Sequence, residues 1–204
     1  MRYPNGQSFT GLPHRRNKRP KKTVYGKRGM RLEEMLNQSN AYYREHGIAI
    51  IHKKPTPIQV VKVDYPKRSR AVIKEAYYRQ ASTTDYNGVY RSYYIDFEAK
   101  QTDLKQHFPL QNIHDHQISH MQACYDQGGI CFLVIHFKQL ALSYLYPFEA
   151  LIEDWQAYQS KESNKIPLER IKSLAYPIQS GYMPALDYIS ALDAYINNLE
   201  KEVK

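Results

Sequence analysis

The sequence predicts a mixed α/β domain, on three observations. Residues 93 to 100 alternate apolar and polar side chains, which is typical of a β-strand with one face toward a core. Residues 130 to 137, ICFLVIHF, are almost continuously apolar, as in a central strand buried on both faces. Residues 110 to 125, 147 to 160 and 184 to 203 place apolar side chains at helical spacing. This order of elements predicts a sheet flanked by helices.

The composition favours a negatively charged partner. The chain has 204 residues, a formal net charge of +9 and two cysteines. A strongly basic balance is typical of proteins that bind nucleic acid. Cys124 and Cys131 lack metal-ligand spacing, so we expect reduced thiols that pack in the interior. Because no apolar run approaches the length of a membrane span and no signal peptide is evident, we expect a cytoplasmic, nucleoid-associated protein.

Residues 1 to 28 predict a flexible basic arm ahead of a single domain at residues 29 to 204. Nine lysines and arginines occur in the arm without an aspartate or glutamate, and apolar periodicity is absent. Such an arm can gain order on DNA or serve only as a solubilising tail. Gly29 then opens a helix with Glu33 and Glu34 in its first turn. Both suit the helix dipole, and one of them could also face a metal site.

Residues 53 to 80 predict a long β-hairpin that projects from the domain. Two β-prone runs, 58 to 63 and 72 to 78, flank a turn near residues 65 to 70. The basic residues that we expect to contact DNA are Lys53, Lys54, Lys67, Arg68, Arg70 and Arg79. A charged edge hairpin that discourages aggregation is the alternative, and this segment alone does not decide between the two.

A turn and a strand form the centre of the chain. Asn87-Gly88 is a dipeptide that favours a two-residue hairpin turn. On the strand that follows, alternate side chains lie roughly 6.6 Å apart and point the same way. Asp96, Glu98 and Lys100 therefore share the polar face of that strand.

If the chain reverses at this turn, Asp85 returns close to the polar face. Two carboxylates and an ammonium that converge form a Mg²⁺ site with a neighbouring cation, which is the minimal equipment for hydrolysing a phosphodiester. The spacing does not decide whether Glu98 or Asp96 accompanies Asp85. A solvated strand face with an aspartate at a turn is the ordinary alternative.

The helix predicted at residues 110 to 125 contributes a further polar group. Gln117 falls on its inward side, where a neutral amide needs a partner. A metal ion or its bound water would satisfy Gln117, and so would a hydrogen bond to the backbone. His116 and His120 have the spacing of a zinc pair, but the glutamate of HExxH and a cysteine pair are absent. We therefore expect these histidines on the surface or facing DNA.

The remaining segments complete the sheet and its cover. A strand at residues 141 to 146 follows the buried strand, and Pro147 opens the next helix. A short helix is predicted at residues 166 to 174, and the last helix ends the chain.

Taken together, these segments resemble RecU, a family of Holliday junction resolvases. The stretches that carry the resemblance are RGMRLEE (28 to 34), IHKKPTPIQVVKVDYPKRS (51 to 69), IKEAYYRQASTTDYNGVY (73 to 90), YIDFEAK (94 to 100), FPLQNIHDHQISHM (108 to 121) and GYMPALDYI (181 to 189). The resemblance implies a restriction-endonuclease-like fold, in which a mixed β-sheet is flanked by helices. It also implies a homodimer, with the hairpin as a stalk that enters the open centre of a junction.

The resemblance further implies the site. The metal-site pattern of the family falls on Thr83, Asp85, Glu98 and Gln117 here. Mg²⁺ is the implied metal, for which Mn²⁺ can substitute, and the pattern selects Glu98 over Asp96. Lys100 would be the cation near the scissile phosphate, so that Asp85, Glu98 and Lys100 form the catalytic group.

The implied function is a Mg²⁺-dependent, structure-selective endonuclease that resolves four-way DNA junctions by symmetric nicking. The family acts in recombination, DNA repair and chromosome segregation, alongside RecA and the branch-migration helicase. Two alternatives stay open at this point. One is a nuclease of the same fold that acts on other DNA structures, and the other is a protein without catalysis that binds junctions or modulates RecA.

Overall fold

The β-prone and helical segments assemble into a mixed sheet with helices on both faces. The computed structural model describes residues 25–67, 70–78 and 83–202. Within these ranges the helices are α1 (Tyr25–Glu45), α2 (Asp115–Asp126), α3 (Phe148–Gln159), α4 (Leu168–Leu174) and α5 (Tyr188–Glu202). The strands there are β1 (Ile50–Lys53), β2 (Ile58–Lys67), β3 (Arg70–Tyr78), β4 (Tyr86–Tyr90), β5 (Tyr93–Thr102), β6 (His107–Pro109), β7 (Ile130–Phe137), β8 (Leu142–Pro147), β9 (Lys165–Pro167), β10 (Tyr176–Ser180) and β11 (Leu186–Asp187).

Seven of the described strands form one sheet, in the order β1-β4-β5-β7-β8-β10-β11. β5 and β7 run parallel, whereas the other neighbours in this sheet pair antiparallel. A mixed sheet flanked by helices confirms the predicted fold class. No helix in the described part of the chain is long and apolar enough to cross a bilayer.

Alternation along β5 and β7 divides the interior into two cores. On one face, Ile95 and Phe97 of β5 pack with Phe132 of β7 and with residues of α1 and α5. On the other face, Leu133 of β7 packs with residues of α2, α3 and α4. The rings of Tyr86, Phe97 and Phe132 stack across three strands, with centroids 4.8 Å apart at each step. Such cross-strand pairs help to set the register of β4, β5 and β7.

The polar face of β5 is buried, which corrects the expectation of a half-buried strand. β5 lies inside the sheet between β4 and β7, and Asp96 and Glu98 are 0% and 1% exposed. Because Phe97 points into one core, its two carboxylate neighbours point into the other. Carboxylates buried this deeply need hydrogen bonds or opposite charges beside them.

The chain reverses before β5 at Arg91 and Ser92, so the turn predicted at Asn87-Gly88 is wrong. Arg91 and Ser92 have φ values of 48° and 66°, as in a two-residue type I′ turn. Gly88 lies within β4, where a Cβ would come within 2.0 Å of the Ile50 carbonyl oxygen. This glycine permits the close approach of β1 rather than a turn.

β2 and β3 form the predicted hairpin, and among the described strands they pair only with each other. Its exposed apolar residues are Ile58, Val60, Val61, Tyr65, Val72, Ile73, Tyr77 and Tyr78. This pairing agrees with a hairpin that protrudes from the sheet. Of the predicted basic arm, residues 1–24 lie outside the described residues.

Four helices begin at positions other than those predicted. α4 begins at Leu168 rather than at residue 166, because Lys165–Pro167 pair with β6 as strand β9. α1 begins at Tyr25, so Gly29 lies inside the helix. α2 begins at Asp115, because a 3₁₀ turn occupies Leu110–Asn112 and the residue before α2 has extended backbone angles. α5 begins at Tyr188, since the two preceding residues pair with β10 as strand β11.

Candidate active site

Asp85 and Glu98 meet because β4 pairs antiparallel with β5. Tyr86 lies opposite Phe97 in this pairing, which places the residue before β4 beside the residue after Phe97. The backbone N–H of Asp85 donates to Glu98 Oε2 at 3.0 Å. The strand register, rather than a turn at Asn87-Gly88, therefore brings the two acidic residues together.

Lys100 adds a cation to this pair. It lies two residues after Glu98 on the same face of β5, and its Nζ lies 2.9 Å from Glu98 Oε1. The Lys100 side chain is 18% exposed, whereas that of Glu98 is 1% exposed. The ammonium therefore reaches from a buried carboxylate toward the surface.

Burial raises the pKa of Glu98 to about 7. Loss of solvation is the largest cause. The Lys100 ammonium lowers this pKa, and the neighbouring Asp85 carboxylate raises it. A cation placed beside both carboxylates would therefore strongly favour the ionised form of Glu98.

A cavity of about 460 Å³ opens beside these residues. Asp85 and Lys100 line it together with Gln111, Asn112 and His114, which lie before α2. Its size is within the usual range for ligand sites. The cavity therefore gives a small anionic group access to both Asp85 and Lys100.

Glu33 of α1 also lines this cavity, and it forms an ion pair with Lys53 at the end of β1. Glu34 is exposed and lies outside the lining of this cavity. Of the two glutamates in the predicted first turn, the structure thus places Glu33 near Asp85. Its direct contact with a metal stays a prediction.

Thr83 and Gln117 make hydrogen bonds to the backbone. Thr83 Oγ1 donates to the Thr84 carbonyl at 3.3 Å. Gln117 is 6% exposed, and its Oε1 accepts the His114 N–H at 3.1 Å. This is the backbone partner that was the alternative to a metal for Gln117. The assignment of Thr83 and Gln117 as metal ligands stays a prediction.

A second buried ion pair lies two residues earlier on β5. Lys54 Nζ lies 2.7 Å from Asp96 Oδ2. The same oxygen accepts the Tyr94 hydroxyl at 2.9 Å, and Asp96 Oδ1 accepts the Thr84 hydroxyl. His120 Nε2 of α2 lies 3.2 Å from Asp96 Oδ2. Asp96 is therefore surrounded by four polar groups from four segments of the chain.

Asp96, His120 and Cys124 offer ligand atoms within 4.8 Å of one another, a set that could hold a metal ion. Lys54 Nζ lies 2.7 Å from Asp96 Oδ2 and 3.2 Å from His120 Nε2. An ammonium thus stands beside two of the three ligand atoms, and a divalent ion would have to displace it. His116 lies outside this set, so its helical spacing from His120 does not bring the two together at one cluster.

The six basic residues predicted to contact DNA lie in different surroundings. Lys54 is half-buried and paired with Asp96, and Lys53 is paired with Glu33. Arg68 and Arg79 lie outside the described residues. Lys67 and Arg70 lie in described strands, but their side chains are not described. Contact with DNA stays a prediction for all six.

Sequence reasoning missed Thr84, Tyr94 and His120 as partners of Asp96. Tyr94 could have been found, because it lies two residues before Asp96 on the same face of β5. His120 carried only a helical spacing signal, which pointed to His116 instead. Nothing local in the sequence pairs Lys54 with Asp96, since 42 residues separate them.

The chain was compared with known protein families and with curated proteins. The family model of RecU, described as Recombination protein U, matches residues 27–194. The Holliday junction resolvase RecU of Geobacillus sp. (strain WCH70) is 54% identical over 193 residues, which cover 95% of this chain and 96% of the relative. The protein of that name from Latilactobacillus sakei subsp. sakei (strain 23K) is 49% identical over 209 residues, covering 98% of each chain.

Proposed function

Since the chain belongs to the RecU family, as the match over residues 27–194 shows, we propose that it is a Mg²⁺-dependent endonuclease that resolves four-way DNA junctions. Its relatives carry the name Holliday junction resolvase RecU. The observation that supports the chemistry is that Asp85 and Lys100 line an open cavity and both contact the buried Glu98.

The residues at this cavity fit a hard divalent cation. Asp85 and Glu98 offer carboxylate oxygens, the donors that Mg²⁺ prefers, and in this proposal Thr83 and Gln117 would add neutral oxygens. The raised pKa of Glu98 supports this fit, because burial and, to a smaller extent, the Asp85 carboxylate disfavour its ionised form, which a bound cation would favour. When bound, the ion neutralises phosphate charge and makes a bound water more acidic.

Lys100 acts on the phosphate. Its ammonium lines the cavity and donates to a non-bridging oxygen, which stabilises the negative charge that develops as the phosphodiester is attacked. Water is the nucleophile in this proposal, because a divalent ion would make a bound water acidic enough to attack without a covalent enzyme intermediate. The nicks carry 5′-phosphate and 3′-hydroxyl ends.

Selectivity for junctions comes from shape. A junction has the same phosphates as a duplex and differs from it in branch point and backbone path. The hairpin of β2 and β3 enters the open centre of the junction, and Lys67 and Arg68, which lie in the sequence between its two β-prone runs, contact the DNA there. A homodimer presents two sites to the two-fold junction, so that opposed strands are nicked symmetrically. Cooperation with RecA and the branch-migration helicase belongs to the same proposal.

Cleavage of a synthetic four-way junction and of a linear duplex with the same sequence, with and without Mg²⁺, tests this function. We expect the junction to be cut only with the metal and in preference to the duplex. Asp85→Asn should bind the junction and fail to cut it. Glu169→Gln is the matched control, because this carboxylate on α4 is 82% exposed, and it should cut at the wild-type rate. Equal cleavage of duplex and junction would contradict the proposed selectivity.

A further inference from the structure

Lys54 holds the segment that carries Asp85 through two different groups. Its backbone N–H donates to the Asp85 carbonyl at 2.7 Å, and its ammonium donates to Thr84 Oγ1 at 3.0 Å. Thr84 Oγ1 in turn donates to Asp96 Oδ1 on β5. The two residues before β4 are thus tied both to β5 and to the segment after β1.

The Lys54 side chain is half-buried, and its ammonium lies against buried partners. The side chains of Lys54 and Asp96 are 17% and 0% exposed, and Thr84 is 2% exposed. Nζ lies 2.7 Å from Asp96 Oδ2, 3.0 Å from Thr84 Oγ1 and 3.2 Å from His120 Nε2. An ammonium has three N–H donors, and these three neighbours can accept all of them. A DNA phosphate would have to take the place of one of these partners.

We propose that Lys54 is a positioning residue of the nuclease and not a contact to DNA phosphates. Its ammonium holds Thr84 and Asp96 together, and this link keeps Asp85 at hydrogen-bond distance from Glu98. Two carboxylates that bind one ion need to be placed within about 0.5 Å of the productive geometry. Loss of the ammonium would leave the buried Asp96 carboxylate without its cation, and the turn before β4 would shift to hydrate it.

The inference rests on the proposed nuclease function, so its first test reads metal binding without cleavage. Thr84→Val removes the hydroxyl at almost constant volume, and Thr84→Ser keeps it. Because groups that orient metal ligands contribute about 10- to 100-fold to affinity or activity, we expect Thr84→Val to weaken Mn²⁺ binding at least roughly tenfold. Calorimetric titration of the DNA-free chain with Mn²⁺ measures this. Thr84→Ser should stay close to wild type, and equal affinity of the two variants would overturn the proposal.

Lys54→Met tests the alternative, in which Lys54 contacts DNA. A lysine that neutralises a phosphate contributes about one to the slope of log binding constant against log salt concentration. We expect Lys54→Met to keep the wild-type slope on a four-way junction without divalent metal, and to lose cleavage when Mg²⁺ is added. Lys67→Met is the contrasting variant and should reduce the slope by about one. A reduced slope for Lys54→Met would assign Lys54 to the DNA interface and overturn the positioning role.

The two hypotheses can fail separately. If the wild-type chain cuts no junction but the Thr84 variants differ in Mn²⁺ affinity, the proposed function fails and the positioning role stands. If the wild-type chain cuts junctions and the Thr84 variants bind Mn²⁺ equally, the positioning role fails alone. Should Lys54→Met not fold, the Thr84 pair decides, since both of its members keep the buried ion pair.

Discussion

Asp96 and Glu98 are carboxylates two residues apart on one face of β5, yet their surroundings differ. They are 0% and 1% exposed. Each has a lysine beside it, at 2.7 Å for Lys54 and Asp96 and at 2.9 Å for Lys100 and Glu98. A buried carboxylate beside an ammonium thus occurs twice on β5, at positions two residues apart.

The remaining neighbours separate the two sites. Asp96 is surrounded by groups that can donate, among them the hydroxyls of Thr84 and Tyr94. Glu98 has the Asp85 N–H beside it, which also brings a second carboxylate and contributes to a pKa of about 7. A carboxylate enclosed by donors stabilises the fold, whereas a buried carboxylate beside a like charge, with Asp85 and Lys100 between it and an open cavity, is placed to gain from a bound cation. The difference lies in the partners and not in the ion pair.

Glu98→Gln should therefore remove activity with little loss of DNA affinity. We expect single-turnover cleavage of a four-way junction to fall about 10³-fold or more, as for the loss of roughly 4 kcal/mol of transition-state stabilisation. Gel-shift titration without divalent metal should give a binding constant close to that of wild type. Cleavage within tenfold of wild type would remove Glu98 from the catalytic group.

Asp96→Asn should have its largest effect on stability, together with the loss of cleavage expected when the contacts among Lys54, Thr84 and Asp96 are disturbed. Removing one partner of a buried ion pair leaves an uncompensated charge on Lys54, so we expect the free energy of unfolding to fall by about 3 kcal/mol. Urea denaturation monitored by circular dichroism measures the change. Glu169→Gln breaks an exposed pair with Lys172 and should change stability by less than about 1 kcal/mol. A similar small change for Asp96→Asn would mean that its ion pair is not structural.

The pKa of Glu98 predicts how metal binding depends on pH. Below about 7 the protonated form predominates, and a cation must then displace a proton to bind. Apparent Mg²⁺ affinity should be roughly tenfold weaker at pH 6 than at pH 8, with proton release on binding. Calorimetric titrations in buffers of different ionisation enthalpy measure both effects. Affinity that does not vary over this range would show that Glu98 carries no proton near pH 7.

Tyr94→Phe should have the smallest effect, because Asp96 keeps its contacts with Lys54 and Thr84. The lost hydroxyl donates one hydrogen bond to Asp96 Oδ2, and we expect a loss of about 1 kcal/mol in the free energy of unfolding. Tyr93→Phe is the matched control, since its hydroxyl donates to Glu200 in an exposed setting. If both variants unfold at the same urea concentration, the enclosure of Asp96 contributes less than its geometry suggests.

Much of the fold follows from local patterns. The period-two alternation after Tyr93 and the apolar run from Ile130 to Phe137 each predicted a strand, and the structure contains both as β5 and β7. The charged hairpin is also present as predicted. These patterns succeed because alternation alone determines which side chains of a strand share a face.

Predictions that depend on a distant segment were less successful. Asn87-Gly88 is a dipeptide typical of turns, yet Gly88 lies within β4, where the close backbone of β1 leaves no room for a Cβ. The contact of Lys54 with DNA stays a prediction, but the pairing of its ammonium with Asp96 could not be read from the sequence. In each case the deciding neighbour lies more than 35 residues away in the chain.

The sequence by itself determined that Asp96, Glu98 and Lys100 lie on one face of a strand, because successive side chains of a strand alternate between its two faces. Only the tertiary structure decided which of these carboxylates is enclosed by donors and which contacts the residues that line a cavity. That choice depends on Lys54, Thr84 and His120 at one end and on Asp85 at the other. The physical reason is burial: once the face is removed from water, each carboxylate takes its character from the groups packed against it.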